Sequence, residues 1–311
     1  MTRHFVYGPV PSRRLGRSLG LDLVPYKICS YDCIYCQVGR TKQKTIERKA
    51  YVQVGSIIEQ VQQKLKQGVV PDYITLGGSG EPTLNNEIGS LIYEIKRISG
   101  IPVAVLTNGS LLSNRDVRDA LVDADAVLPS LDAHNQEGFE TINRPHPEIN
   151  FETMMEGLIA FRKDYPGEIW LEVFVLDGIN AEESDAIHFK RLIEKMNPQK
   201  VHINTAVRPT AEIYARQVSL EGLARFCQII GEKAEVIAPF RDAKKHERGI
   251  LVEEELLKLL TTRPCTLGDI SSGLDVHENE VFEHISLLLK KHVIEAVQRG
   301  SVVYYQPKKL P

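Results

Sequence analysis

Three cysteines within eight residues are the strongest chemical signal in the sequence. Cys29, Cys33 and Cys36 follow the spacing C-x3-C-x2-C, and Tyr35 directly precedes the third. A cubane [4Fe–4S] cluster binds one cysteine thiolate at each iron, so a short loop can supply three of its corners. The fourth iron would then stay open to a small molecule, as a catalytic metal keeps one coordination position free.

Two other interpretations of these cysteines stay open at this point. Structural zinc takes four protein ligands, so the fourth would have to come from a distant residue such as His134 or His146. A disulfide requires an oxidising compartment, and residues 1–5 lack the apolar run of a secretory signal. The remaining cysteines, Cys227 and Cys265, lie far along the chain. Spacing and expected compartment favour the cluster.

The cysteine loop resembles the C-x3-C-x-aromatic-C signature of the radical S-adenosylmethionine (SAM) superfamily. The resemblance implies that SAM chelates the open iron and that one electron from the cluster cleaves it. The 5′-deoxyadenosyl radical so formed takes a hydrogen atom from the substrate. An electron donor such as flavodoxin or ferredoxin is also implied. Residues 8–20, GPVPSRRLGRSLG, resemble the branch related to the tRNA wyosine-base synthases, and the resemblance covers about residues 5–240.

Alternating apolar patterns predict the elements that position this loop. Strands are predicted at 20–24, 72–76, 103–106, 126–128, 169–176 and 201–204, with a further short strand at 235–237. Helices are predicted at 55–66, 87–98, 114–122, 151–163, 182–196 and 219–231. Strand–helix alternation predicts a parallel sheet with helices outside. Because the closed barrel has eight such units, we predict an α/β fold built as a partial, open (β/α)6 TIM-like barrel.

In such folds the reactive groups lie at the carboxyl ends of the strands, where a glycine-rich turn follows the second strand. Gly78, Ser79, Gly80 and Glu81 resemble the glycine–glutamate motif of the superfamily, which contacts the SAM amino group. Glycines allow close approach of the backbone to a ligand, and a carboxylate pairs with an ammonium group. The alternative is an ordinary strand-to-helix turn.

Polar residues at the ends of later strands are further candidates for SAM contacts. Ser130 and Asp132 follow the fourth strand, where the resemblance implies hydrogen bonds to the SAM ribose or carboxylate. Asn108 follows the third strand, with helix capping or a turn as its alternative role. The resemblance also implies that Asn180 and Tyr35 lie near the adenine, although Tyr35 could equally serve packing.

Four basic or titratable residues are candidate contacts for other ligands. Arg144, His146 and Arg208 could contact the substrate, with a surface position as the alternative for His146. Lys27, two residues before Cys29, could bind a carboxylate or be solvated. No catalytic acid or base is assigned, because the cofactor carries much of radical chemistry.

Basic charge is concentrated near the cysteine loop. Residues 1–70 hold 12 Lys/Arg and 4 Asp/Glu, residues 71–240 hold 15 and 26, and residues 241–311 hold 11 and 11. An anionic substrate, with RNA as one candidate, would suit this excess. A solvated basic loop is favoured slightly, because aromatic residues do not interleave the charges. No apolar stretch approaches membrane-spanning length, so we expect a cytoplasmic protein without membrane contact.

The length of 311 residues suggests a large domain and a small one. We predict the barrel domain at 1–240, a polar linker at 241–250 and a winged-helix domain at 251–311. Its predicted elements are helices at 253–260, 266–273 and 277–292, then a hairpin. Acidic residues at the start of the third helix would repel DNA: Asp275, Glu278, Glu280 and Glu283. We therefore expect protein contact, substrate docking or capping of the barrel.

The sequence thus predicts a radical SAM enzyme whose substrate it does not identify, with tRNA and a protein as candidates. Wyosine synthases carry a second cluster on cysteines ahead of the first, and no cysteine precedes Cys29 here. Cys227 and Cys265 alone would not hold a second cubane. A glycyl-radical activase acting on a partner protein is the alternative enzyme. An iron–sulfur DNA-binding sensor is the alternative outside the enzymes.

Overall fold

The computed structural model describes residues 5–237, 253–274, 276, 278–300 and 302–308; the predicted linker 241–250 and Asp275 lie outside the described residues. The strands are β1 (Val6–Ser12), β2 (Gly16–Asp22), β3 (Ile28–Cys29), β4 (Gln43–Lys44), β5 (Tyr73–Gly77), β6 (Val103–Thr107), β7 (Ala126–Pro129), β8 (Glu168–Val175), β9 (Lys200–Thr205), β10 (Ala234–Val236), β11 (Ile294–Arg299) and β12 (Val302–Pro307).

The helices follow the predicted pattern closely. They are α1 (Val54–Lys66), α2 (Ile88–Ile98), α3 (Arg115–Ala120), α4 (Gln136–Ile142), α5 (Phe151–Asp164), α6 (Glu183–Met196), α7 (Leu220–Ile230), α8 (Glu253–Thr262), α9 (Leu267–Leu274) and α10 (Glu278–Lys290). A 3-10 helix spans Pro82–Leu84. Among the described residues, no helix has both the length and the apolar character needed to cross a membrane.

One sheet organises the large unit. Within the described part of the chain it has eight strands in the order β1-β2-β5-β6-β7-β8-β9-β10. The first pair is antiparallel, and each later pair is parallel. The six strand–helix units that begin with β2, β5, β6, β7, β8 and β9 confirm the predicted partial (β/α)6 TIM-like barrel.

The sequence analysis missed strand β1 and helix α4, besides the two-residue strands β3 and β4 and the 3-10 helix. Strand β1 contains Gly8, Pro9 and Pro11, residues that indicate a turn rather than a strand. They are tolerated because β1 is the edge strand, where only one side of the backbone needs partners. Helix α4 has only seven residues, including Gly138, and so carries too few turns to show a helical period.

The two faces of the sheet carry different side chains, as the two-residue period of a strand requires. On β6, Val103 and Val105 join the core beneath the helices, whereas Ala104 lies on the inner face. Leu15, from the turn between β1 and β2, packs beside Ala104 and Trp170. The inner face therefore receives the β1–β2 turn, which brings the basic residues next to Leu15 into the barrel.

The C-terminal elements α8, α9, α10, β11 and β12 form a smaller unit that contacts two edges of the sheet. At the β1–β2 edge, Lys258 Nζ donates to Asp22 Oδ2 at 2.7 Å, and a Cβ on Gly273 would lie 2.8 Å from Pro11. After β9, Tyr304 Oη donates to the Val207 carbonyl at 2.7 Å. The small unit thereby bridges the open side of the barrel. Its domain limits and its winged-helix identity stay predictions.

Candidate active site

The cysteine loop lies across the carboxyl ends of the strands and is fixed by backbone hydrogen bonds. Asp32 N donates to Asn143 O at 3.0 Å, Ile34 N donates to Ile142 O at 2.9 Å, and His146 N donates to Ser30 O at 2.8 Å. Tyr31 and Ile34 are buried in the main core and anchor the loop from below. The three thiols are therefore held by tertiary contacts as well as by their own spacing.

The three thiols are unpaired and partly buried. Each accepts a hydrogen bond from a different side-chain nitrogen: Asn108 Nδ2 to Cys29 Sγ at 3.6 Å, Asn143 Nδ2 to Cys33 Sγ at 3.5 Å, and Lys27 Nζ to Cys36 Sγ at 3.1 Å. Burial, reinforced by Glu81, raises the pKa of Cys29 to about 12. Burial and the Asp132 carboxylate raise the pKa of Cys33 as well. A cationic group is needed to hold these sulfurs as thiolates.

The donor set fits a cluster better than a single metal ion. Among the described residues no three His, Cys, Asp or Glu side chains are close enough to bind one ion. His134 Nε2 lies 2.9 Å from Asp185 Oδ1, and His146 Nδ1 accepts the Glu148 amide at 3.4 Å, so neither completes a zinc site. A cubane binds each thiolate through a different iron, so its sulfurs need not converge on one point.

The glycine-rich turn after β5 packs directly on the cysteine loop. Lys27 N donates to Ser79 O at 2.8 Å, and Glu81 N donates to Ile28 O at 3.2 Å. A Cβ on Gly80 would overlap the Ile28 carbonyl oxygen, so no larger residue fits there. Gly78 has a φ of +111°, which L-residues rarely adopt. These glycines serve the close approach of two loops.

Glu81 is buried and joins the ends of β5 and β6. Its Oε1 accepts from the Thr83 amide at 3.1 Å and from the Thr83 and Thr107 hydroxyls at 2.6 and 2.7 Å. Its Oε2 accepts from the Asn108 amide at 2.7 Å. Burial raises the pKa of Glu81, although these bonds oppose the shift. Because a carboxylate offers about four acceptor positions, little capacity remains for a ligand.

Asp132 is a second buried carboxylate that organises the site from behind. Its Oδ2 accepts from Tyr35 Oη at 2.5 Å and from Asn143 Nδ2 at 2.8 Å, and its Oδ1 accepts from the Phe174 amide at 3.1 Å. Asn180 Nδ2 donates to the Asp132 and Phe174 carbonyls at 2.8 and 2.9 Å. The Tyr35 ring stacks on Phe174 with centroids 4.0 Å apart. This network fixes the Tyr35 ring.

A cavity of ≈ 270 Å³, here called the cysteine cavity, brings most of the candidates together. Its lining includes Cys29, Cys33, Cys36, Tyr35, Gly78, Ser79, Gly80, Glu81, Asn108 and Ser130. Asp132 and Asn180 do not line it; they are bonded to the Tyr35 hydroxyl and to the Phe174 backbone. The Ser130 hydroxyl has no hydrogen-bond partner within the described ranges and faces a ligand-sized space.

A second cavity of ≈ 290 Å³, here called the adjoining cavity, shares Arg14, Tyr35 and Cys36 with the first. It reaches the C-terminal unit through Thr262 and Arg263. The two cavities are therefore neighbours, one lined by the three thiols and the other reaching the small unit.

The candidate ligand contacts outside the cysteine cavity are dispersed. Arg208 is buried and lines the adjoining cavity. Arg144 Nη1 donates to Glu212 Oε1 at 2.8 Å and lines neither cavity, and His146 is half-buried in the loop beside it. Lys27 is 2% exposed, so it is not solvated.

The sequence analysis missed several residues of this site. Asn143 binds Cys33 from 110 positions away, and Phe174 stacks on Tyr35. Glu172 lies on β8 midway along the strand and lines both cavities. The sequence did contain a signal for Glu172, because it is a charged residue between apolar residues of a buried strand. A charge in such a position needs a partner.

An open parallel barrel with three cysteines at its carboxyl edge defines a class of protein, the radical SAM fold. Residues 23–189 match the family described as the Radical SAM superfamily. A radical SAM methyltransferase from Sphaerobacter thermophilus has a similar fold, with a TM-score of 0.54 and 20% identity over 70% of this chain and 65% of that one. The chain belongs to the radical SAM superfamily and is an enzyme, and the superfamily uses a [4Fe–4S] cluster and SAM.

Several relatives match nearly the whole chain, and two of them are a UPF0026 protein and a longer protein. The UPF0026 protein of Methanocaldococcus jannaschii is 34% identical over 96% of this chain and 94% of its own length. A Brachyspira hyodysenteriae protein named "GTPase Obg" is 38% identical over 96% of this chain, but the chain spans only 44% of that protein. The phosphate-binding motif G-x4-G-K-[S/T] does not occur in this sequence, so the likeness does not extend to that GTPase signature.

Proposed function

We propose that Cys29, Cys33 and Cys36 hold the cluster of this enzyme, that SAM binds in the cysteine cavity, and that hydrogen is abstracted from a substrate in the adjoining cavity. The observation that carries the proposal is that all three thiols line one ligand-sized cavity and that each accepts a hydrogen bond from a different side-chain nitrogen. Structural cysteines in a core do not need such donors.

When bound, the cluster supplies the electron for reductive cleavage of SAM and so for hydrogen-atom abstraction. The protein contributes charge and orientation. Lys27, buried against Cys36, offsets the negative charge that reduction adds near the sulfurs. Asn108 and Asn143 donate to the other two sulfurs and further disperse that charge.

Binding of SAM falls to groups that the protein leaves free. The Ser130 hydroxyl and the last acceptor position of Glu81 suit the polar groups of SAM, including its ammonium. The Tyr35 ring, fixed by Asp132 and Phe174, supplies a flat apolar wall for the adenine. Asp132 and Asn180 are positioning residues in this proposal, because they hold Tyr35 and the wall without lining the cavity.

The finer assignments stay predictions. They include RNA or a partner protein as substrate, flavodoxin or ferredoxin as electron donor, and the relation to wyosine synthases. No contact in the described residues favours the glycyl-radical activase or the DNA-binding sensor over the general radical SAM proposal.

An anaerobic assay tests the proposal. The full chain is reconstituted with iron and sulfide, reduced, mixed with SAM and assayed for 5′-deoxyadenosine. We expect 5′-deoxyadenosine from the parent and from Cys227→Ala, the matched cysteine control in α7, and none from Cys36→Ala. A fully loaded, reduced protein that neither binds nor cleaves SAM would overturn the proposal.

A further inference from the structure

Four arginine side chains converge on the adjoining cavity, and together they are here called the arginine pocket: Arg13, Arg14, Arg208 and Arg263. The first two come from the turn between β1 and β2, the third from the loop after β9, and the last from the residue after α8. The pocket is therefore assembled from both units of the protein, and Arg14 and Cys36 also line the cysteine cavity.

The carboxylates near the arginine pocket neutralise only part of its charge. Glu172 forms an ion pair with Arg14, and Asp269 Oδ1 lies 3.5 Å from Arg208 Nη2. Within the part of the chain that the structure describes, Arg263 Nη2 donates only to the Pro11 carbonyl, at 2.8 Å. The four guanidinium groups thus exceed the two carboxylates by two positive charges.

Arg13 differs from the other three because its side chain has no hydrogen-bond or ion-pair partner within the described ranges. Its charged neighbours are Arg208, Arg263 and Asp269, and Asp269 is already shared with Arg208. A long cationic side chain held half-buried among other arginines gains little from the protein itself.

The arrangement is costly without a ligand. Among the described residues, the Nε atoms of Arg208 and Arg263 are buried and lack any partner, and Arg208 is only 6% exposed. Burial, then repulsion from Arg13 and Arg263, lowers the pKa of Arg14 to about 9. Burial, then Arg208 and Arg263, lowers the pKa of Arg13 to about 10. Buried polar groups are normally paired, so these unpaired ones need an explanation.

A purely structural role explains only part of the pocket. The pairing of Arg208 with Asp269 and of Arg263 with Pro11 fastens the small unit to the barrel. Fastening would not require Arg13, and it leaves the buried Nε atoms of Arg208 and Arg263 without a partner within the described residues. An oxyanion in the adjoining cavity would pair with the guanidinium groups that line it, since guanidinium groups bind such anions through two parallel hydrogen bonds.

We propose that the arginine pocket binds a phosphate monoester group of the substrate. This rests on the proposed function in one respect, that the adjoining cavity is the substrate site. A dianion matches the excess of two positive charges, whereas a carboxylate or a phosphodiester carries only one negative charge. The ≈ 290 Å³ cavity also has room for a small organic group between the phosphate and Cys36.

Calorimetric titration of the reconstituted full chain with inorganic phosphate tests the assignment. At about pH 8, where phosphate is mostly dianionic, we expect saturable binding at least about tenfold tighter than that of acetate at matched ionic strength. Arg13→Gln and Arg263→Gln should each weaken phosphate binding about tenfold or more, because each removes charge-assisted donors. Neither change strips a carboxylate of its ion-pair partner.

Arg216→Gln is the matched control, because it removes the same charge from an exposed pair with Asp177. We expect it to bind phosphate like the parent. Equal losses in Arg216→Gln and Arg13→Gln would mean nonspecific charge and would overturn the pocket. An oligoribonucleotide without terminal phosphates that binds tighter than phosphate, in an Arg13-dependent way, would overturn the monoester in favour of an RNA backbone.

Two readouts separate this proposal from the proposed function. SAM affinity and 5′-deoxyadenosine formation are measured on the same samples. Normal SAM cleavage without phosphate binding would overturn the arginine pocket alone. Phosphate binding without SAM cleavage would support the pocket and count against the proposed function. Loss of SAM affinity in Arg13→Gln, with phosphate binding intact, would assign the arginines to SAM and overturn the phosphate assignment.

Discussion

The wall of the cysteine cavity and the arginine pocket treat buried polar groups in opposite ways. Behind the cysteine cavity, Glu81 and Asp132 each accept at least three hydrogen bonds from protein donors. In the arginine pocket, Arg13 has no partner in the described part of the chain, and Arg208 and Arg263 keep buried Nε atoms unpaired. The two regions meet at Cys36.

The difference indicates which polar residues serve the fold and which await a ligand. A carboxylate that already accepts three or four hydrogen bonds stabilises the loops around it and keeps at most one acceptor position for a ligand. An unpaired buried cation is a cost that binding can recover. A polar residue of a site is therefore a good candidate for ligand contact only when its hydrogen bonds within the protein leave a donor or acceptor free.

Removing a proposed cluster ligand should give the largest effect. Cys33→Ala should abolish the iron–sulfur absorbance after anaerobic reconstitution, because the two remaining thiolates, of Cys29 and Cys36, cannot hold a cubane. Cys265→Ala, at a buried cysteine of the small unit, should keep the iron content of the parent. Iron and sulfide analysis provides the measurement, and full iron in Cys33→Ala would refute the ligand assignment.

Breaking the bonded network behind the cysteine cavity should destabilise the fold. Asp132→Ala leaves Tyr35 Oη and the Phe174 amide without their acceptor, and Asn143 Nδ2 keeps only its bond to Cys33 Sγ. We expect a loss of about 2–4 kcal/mol in the free energy of unfolding, because buried donors without partners are expensive. Asp132→Asn, which keeps an acceptor, should lose less. Chemical denaturation of both variants measures the free energy of unfolding. If Asp132→Ala were as stable as the parent, the bonded network behind the cysteine cavity would not stabilise the fold.

Lys27 places a positive charge beside Cys36, the residue at which the two regions meet. Lys27→Met should make the reduction potential of the cluster more negative, on the order of 50 mV, because a nearby cation favours the more negative reduced state. Lys27→Arg should shift it less. A redox titration followed by electron paramagnetic resonance measures both. An unchanged potential in Lys27→Met, with full cluster loading, would rule out the proposed charge compensation.

His202, on the inner face beside the arginine pocket, gives a pH test. Burial, then Arg14 and Lys200, lowers its pKa to about 3. Its Nε2 lies 3.1 Å from Glu235 Oε1, but the Glu235 side chain is largely exposed and screened by water, so the ring stays neutral in the fold. The unfolded chain binds a proton near pH 6.5, so stability is full above that pH and falls as the pH drops toward 3, by at most about 1.4 kcal/mol per pH unit. Denaturation between about pH 6.5 and 5 should show a smaller slope in His202→Asn; an identical slope would contradict the burial of a neutral histidine.

Much of the fold was predictable because its signals are local. The cysteine spacing, the glycine-rich turn and the alternation of strands and helices each occupy a short stretch of sequence. The bonded network was not predictable, since Asn143 reaches Cys33 across 110 positions and Tyr35 reaches Asp132 across 97. Asp132 and Asn180 stood out as polar residues, but only the assembled structure shows that they do not line the cysteine cavity.

The arginine pocket was also not predictable from local sequence signals. Arg13 and Arg14 were visible as basic charge near the cysteines, and solvation was the favoured explanation. Their burial depends on the β1–β2 turn entering the barrel, and the prolines of β1 concealed that strand. The partner arginines come from the other end of the chain, so only the assembled structure brings the four together.

The smallest expected effect is the most direct check on the comparison between the two regions. Arg13→Gln in phosphate-free buffer should leave the free energy of unfolding within about 0.5 kcal/mol of the parent or raise it slightly, because repulsion from Arg208 and Arg263 is relieved. Adding phosphate should then stabilise the parent more than the variant, since a ligand stabilises only the state that binds it. Denaturation curves of the parent and the variant, each with and without phosphate, measure the effect of the substitution and the stabilisation by phosphate. A clear loss of stability in phosphate-free Arg13→Gln would mean that Arg13 stabilises the fold, as Asp132 does. Arg13 would then not be an unpaired cation that awaits a ligand, and the two regions would not differ at that residue.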